Sequence, residues 1–120
     1  MHLLFKEKSF YFHDDLPDRD SVLNKYGKYL FENGYVMKGY DKSLIAREER
    51  VSTAMGRYVA VPHGSKDLVL KPSLVIVNLK TPILWDDEFR VDLIFILAVN
   101  FNKVQINKYF FSKLYEIIKK

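Results

Sequence analysis

Residues 74–79 and 91–99 are runs of Val, Ile, Leu, Phe and Ala broken only by Asn78 and Asp92. A strand with one face in water alternates apolar and polar residues, so near-continuous apolar runs of this length belong to strands covered on both faces. Helices on two sides of a sheet provide such cover. The expectation is an α/β fold, a mixed β-sheet sandwiched between helices on both faces. Shorter β-rich runs at 10–12 and 58–61 supply further strands.

Helical periodicity fits this architecture. Between 19 and 32, Val22, Leu23, Tyr26 and Leu30 share one face, Asp18 or Asp20 can cap the start, and Asn33 with Gly34 supplies the stop. A shorter helix is expected to begin with Asp41 as its N-cap and to run to about 49, burying Leu44 and Ile45 and placing Arg47 on its last turn. Near the C-terminus Ile106, Phe110, Leu114 and Ile117 recur at spacings of three to four, with Asn102 as the candidate cap. With 120 residues, 48% of them hydrophobic, and no repeat or Pro/Gly-rich linker, the chain is expected to form one domain over 1–120.

Charge and composition narrow the function classes. The net charge is +4, but the 19 Lys and Arg residues are scattered, a weak footprint for nucleic acid. Eight tyrosines and nine phenylalanines could stack on bases of a single strand, yet Tyr26, Phe95 and Phe110 occupy core positions of the expected elements, and packing accounts for them. The lack of cysteine excludes disulfides and thiolate metal sites. His2, His13 and His63 have no metal-ligand spacing, and Asp14 with Asp15 reads as a turn or cap, so no metal and no cofactor is expected. Lys6, Glu7 and Lys8 interrupt the N-terminus before a signal-peptide core could develop. The longest apolar run, 93–99, falls far short of the roughly 20 residues of a membrane-spanning helix. These features point to a cytoplasmic protein that touches neither nucleic acid nor membrane directly.

The segment from Tyr58 to Asp67 carries the chemistry. Pro62 has no N–H and holds Val61 extended, so it ends a strand and puts His63 at the strand's exit. Gly64 permits a turn and close approach by another backbone or a ligand. An imidazole is a nucleophile at neutral pH; one ring nitrogen can attack phosphorus while a hydrogen bond at the other fixes the tautomer. A phosphoryl group there needs a cation, and Arg47 offers a planar fork, each charge-assisted hydrogen bond contributing roughly 1.5–3 kcal/mol. A solvated loop histidine and a solvated helix arginine are the plain alternatives, which would leave only an interaction module.

The string Arg47, Glu48, Glu49, Arg50, Val51, Ser52, Thr53, Ala54, Met55, Gly56, followed by Val59, Ala60, Val61, Pro62, His63, Gly64, resembles mannitol/fructose-class enzyme IIA domains of the bacterial sugar phosphotransferase system. Arg47 stands sixteen residues before His63, as the resemblance requires, and the likeness continues through Pro72, Pro82 and Trp85 to span about residues 5–118. It implies that His63 accepts a phosphoryl group from phospho-HPr and passes it to a cysteine of an enzyme IIB domain. It further implies that Arg47 stabilises the phosphate, with Thr53 and Gly64 near the group. Phosphoryl transfer of this kind rests on positioning and charge neutralisation. Where transport members commonly carry a second histidine, this sequence has Asn107, which cannot titrate near neutral pH. Residues 110–120 look more like the enzyme IIA-like domains of sugar-responsive transcription activators and antiterminators. A regulatory domain acting on adjacent domains is therefore the preferred expectation, with a transport component as the alternative.

Overall fold

The computed structural model describes residues 8–100 and 108–119. The elements run β1 (Lys8–Asp14), α1 (Arg19–Glu32), α2 (Tyr40–Arg50), β2 (Ala54–Gly56), β3 (Tyr58–Ala60), β4 (Ser73–Leu84), β5 (Arg90–Ala98) and α3 (Lys108–Ile118). The expected cap Asn102, the helix position Ile106, the site position Asn107 and His2 lie outside the described residues.

The five strands form one mixed sheet in the order β1-β4-β5-β3-β2. β1 runs parallel to β4 and β3 parallel to β5, whereas the β4/β5 and β2/β3 pairs are antiparallel. Side-chain alternation divides the two central strands between two cores. Val75, Val77, Ile94, Ile96 and Ala98 pack with Val22, Leu23, Tyr26, Leu30, Tyr40 and Leu44 of α1 and α2. Leu74, Leu93, Phe95, Leu97 and Val99 pack on the opposite face with Phe111, Phe110 and Leu114 of α3. Both faces are covered, which is why these strands need no polar alternation. Register in the middle of the sheet follows from the same fact, because Val75 faces Ile96 and Val77 faces Ile94 across the ladder.

Local chemistry sets the ends of α1. Asp18 is extended and its side chain accepts a 2.8 Å hydrogen bond from the Ser21 N–H. At the other end Gly34, at φ 82°, lets its own N–H reach the Phe31 carbonyl and the Tyr35 N–H reach the Leu30 carbonyl.

The expected cap of α2 is corrected. Gly39, at φ 97°, precedes the helix, and Asp41 lies within its first turn. Tyr40 is buried in the core and belongs to the helix. A Cβ on Gly27 of α1 would stand 2.6 Å from Asp41 Cα, so the two helix backbones touch at this point. Leu44 is fully buried and Ile45 partly so. The three-residue β2 was not anticipated, and β4 extends past 79 to Leu84 through an irregular register between Asn78 and Ile83. Pro82 falls inside that irregularity, where a residue without an N–H removes no ladder bond.

Candidate functional site

His63 follows β3 at the end of the sheet where β5 also terminates. The Pro62 carbonyl accepts a 2.9 Å hydrogen bond from the Leu97 N–H, which ties the loop to the last turn of the β5 ladder. The ring of His63 is half-buried, and its Nδ1 lies 3.4 Å from the Val61 carbonyl. A carbonyl can only accept, so this contact selects the tautomer with the proton on Nδ1 and leaves Nε2 with a free lone pair. Burial pushes the imidazole pKa below its ordinary value; the Val61 carbonyl and the Glu48 charge oppose that shift, and the Arg47 charge adds to it. The ring is therefore neutral and nucleophilic at neutral pH.

α2 braces the residues that follow. The Gly64 N–H donates to Tyr40 Oη at 3.1 Å, and that hydroxyl donates to the Leu97 carbonyl at 3.3 Å. The Ser65 N–H donates to Ser43 Oγ at 3.1 Å, while Ser43 Oγ donates to the Tyr40 carbonyl at 2.7 Å. A Cβ on Gly64 would sit 2.5 Å from Ser43 Oγ and 2.9 Å from Tyr40 Cε1. The close approach expected at Gly64 is thus made by side chains of α2.

Arg47 lies one helical turn beyond Ser43, on the same side of α2. Its Nη1 donates to the Val51 carbonyl at 2.9 Å, and its charge acts on the His63 ring. Thr53 is 9% exposed, and its hydroxyl bonds the Glu48 carboxylate rather than facing solvent. The Thr53 N–H donates to Glu48 Oε2 at 2.9 Å, and Trp85 Nε1 donates to the same oxygen at 3.0 Å. Glu48 is 2% exposed and was not singled out from the sequence, where it reads as one more charge in an Arg-Glu-Glu-Arg run. The signal available was position: Glu48 is four residues after the buried Leu44 and shares its face of the helix. Asn107 lies outside the described residues. Among the described residues, no three His, Asp or Glu side chains converge on a point, and no helix is long and apolar enough to cross a membrane.

Residues 3–120 match the family described as phosphoenolpyruvate-dependent sugar phosphotransferase system, EIIA 2. The chain belongs to this family. Among curated relatives of this EIIA domain is the transcriptional regulator ManR of Bacillus subtilis, 33% identical over 96 residues, which cover 80% of this chain and 15% of ManR. Another is the mannitol-specific phosphotransferase enzyme IIA component of Staphylococcus aureus, 30% identical over 91 residues, covering 73% of this chain and 63% of that protein. The EIIA chain thus matches a small part of the regulator and a little under two thirds of the enzyme. Among solved structures, mannitol IIA of Escherichia coli superposes with a TM-score of 0.69 at 22% identity, over 96% of this chain and 82% of that one. That likeness establishes the fold, a mixed sheet between helices. Domains of this family are components of a phosphotransferase system.

Proposed function

We propose that this EIIA domain accepts a phosphoryl group on Nε2 of His63 from phospho-HPr and holds it as a phosphohistidine. The observation that carries the reading is the half-buried imidazole whose Nδ1 is engaged by the Val61 carbonyl, leaving the lone pair on Nε2, at a strand exit beside a helix that presents Arg47. In the transfer, Nε2 forms a bond to phosphorus as the donor's nitrogen–phosphorus bond breaks. The proton stays on Nδ1, so positive charge builds on the ring. The Val61 carbonyl and the nearby Glu48 carboxylate favour that charge, and the Arg47 guanidinium neutralises the phosphoryl oxygens.

The chain works in this reading as a single EIIA module in the cytoplasm, where the phosphate donor is found. The match to ManR and the asparagine at 107 favour a regulatory role, in which the phosphorylation state of His63 sets the activity of adjacent domains. Donation to an enzyme IIB cysteine is the second reading, favoured by the staphylococcal relative and by the solved complex of the Escherichia coli enzyme IIA of the mannitol system with phosphorylated enzyme IIB.

The test is incubation with phosphoenolpyruvate, enzyme I and HPr, followed by intact-mass measurement and acid treatment. One acid-labile phosphoryl group on the wild type and none on His63→Ala is the expected result. Label retained by the variant rejects the assignment. Adding an enzyme IIB separates the two roles: fast discharge of the label supports transport, and retention supports regulation.

A further inference from the structure

Glu48 is a carboxylate placed almost wholly out of water, which is unfavourable unless both oxygens are paired. Its three donors among the described residues are fixed by the fold: the backbone and hydroxyl of Thr53, and the indole of Trp85. Thr53 stands between Glu48 and the reaction site, because its carbonyl accepts a 3.2 Å hydrogen bond from the Val61 N–H. Val61 in turn offers the carbonyl that engages His63 Nδ1. A continuous path therefore leads from a buried acid on α2, through Thr53 ahead of β2, to the residue that selects the histidine tautomer.

Building on the assignment of His63 as phosphoacceptor, we propose that Glu48 is a positioning residue for the transfer: it clamps Thr53 so that the Val61 peptide presents its carbonyl to Nδ1 and aims Nε2 outward. Trp85, at the start of the β4–β5 connection, locks the carboxylate from the far side. Ser52 adds a parallel tie, donating to Asp86 Oδ2 at 2.5 Å, so the segment between α2 and β2 is held at two adjacent residues. The negative charge of Glu48 also acts on the His63 ring in the sense opposite to Arg47. It thereby stabilises the ring as transfer makes it cationic.

The experiment measures labelling by phospho-HPr, resolved into saturating rate and KM, together with the imidazole ¹⁵N shifts of His63, which report its tautomer. Glu48→Ala removes the clamp, and Glu48→Asp draws the carboxylate back by one methylene. Both are expected to lower the saturating rate about 10- to 100-fold, to leave KM for phospho-HPr unchanged, and to mix the tautomers. Glu48→Gln can accept from the Thr53 N–H and the indole through its carbonyl and donate to Thr53 Oγ1 through its amide. It should restore the Nδ1-protonated tautomer and part of the rate, the remainder being lost with the charge; tautomers as mixed as in the alanine variant overturn the proposal. A folded Glu48→Ala or Glu48→Asp protein with wild-type rate and tautomer overturns the proposal, and if the alanine variant does not fold, the aspartate variant decides. His63→Gln separates the two claims: label on that variant defeats the phosphoacceptor assignment, whereas its loss beside normal Glu48 variants defeats only the role of Glu48.

Discussion

Gly64→Ala tests how tightly α2 grips the His63 loop. Gly64 does not adopt a left-handed conformation, so alanine meets no backbone penalty there, and stiffening the unfolded chain would by itself stabilise by about 0.4–1 kcal/mol. Opposing this, the new methyl would fall 2.5 Å from Ser43 Oγ and 2.9 and 3.0 Å from Tyr40 Cε1 and Cζ. Ser43 cannot rotate away freely, because its hydroxyl accepts from Ser65 and donates to the Tyr40 carbonyl. Overpacking of this kind costs about 1–3 kcal/mol, and stretching the Gly64–Tyr40 and Ser65–Ser43 hydrogen bonds adds about 1 kcal/mol. The net expectation is a loss of about 2 kcal/mol in urea unfolding with an unchanged slope, together with slower labelling of His63. Ser43→Ala removes the tightest contact, so the alanine at 64 should destabilise by about 1 kcal/mol less in that background. A neutral or stabilising Gly64→Ala, or an equal loss in both backgrounds, would refute the reasoning.

The remaining predictions concern charge. Because burial lowers the His63 pKa, NMR titration should place it below 6.5, and the labelling rate should hold at neutral pH and fall only as pH drops through that lowered value. In the same window the unfolded chain binds the proton first, so the stability contribution of this residue is intact above 6.5 and is lost on acidification; a midpoint above 6.5 contradicts both statements. Arg47→Ala should slow labelling by about 10- to 100-fold while urea stability changes little, and an unchanged rate would mean that another group receives the phosphoryl oxygens. Lys119 bonds Asn78 Oδ1 and the Leu79 carbonyl and lies 3.5 Å from Asp92 Oδ2, with both charged side chains mostly buried. Lys119→Met should therefore destabilise by about 2–3 kcal/mol in urea unfolding, and Asp92→Asn in the same protein should recover part of the loss; no recovery would show that the pair is uncoupled.

The arrangement around Asp92 also shows how α3 is seated. Tyr115 Oη lies 3.4 Å from Asp92 Oδ2, and burial followed by the Asp92 charge pushes the Tyr115 phenol up to about 12. These polar contacts, with Phe111 against Phe95 at 4.8 Å between ring centroids, fix the helix on the sheet face opposite α1 and α2. Aromatic rings across the molecule are engaged in this way. Phe10 packs edge-on against Tyr29 and Tyr35, and Phe12 packs against Tyr26 and Tyr29. Packing therefore accounts for these rings without base stacking on a single strand.

Local signals carried much of the architecture into the sequence. The spacing of Val22, Leu23, Tyr26 and Leu30, the Asp18 cap and the glycine stop are properties of one helix and its ends, and a helix obeys them wherever it packs. The uninterrupted apolar strands disclosed that both faces would be covered, and Pro62-His63-Gly64 announced a strand exit carrying an imidazole. Tertiary structure alone decided the rest. Gly39 takes the place of Asp41 before α2, with Tyr40 drawn into the helix and the core, and Gly27 lets the two helices touch at Asp41. β2 is too short for periodicity to register and exists because β3 pairs with it. Glu48 became a buried, fully engaged carboxylate because the fold brings it Thr53, five residues on, and Trp85, thirty-seven residues on. A charge's burial depends on whether distant donors arrive to replace water, and no local pattern encodes that arrival.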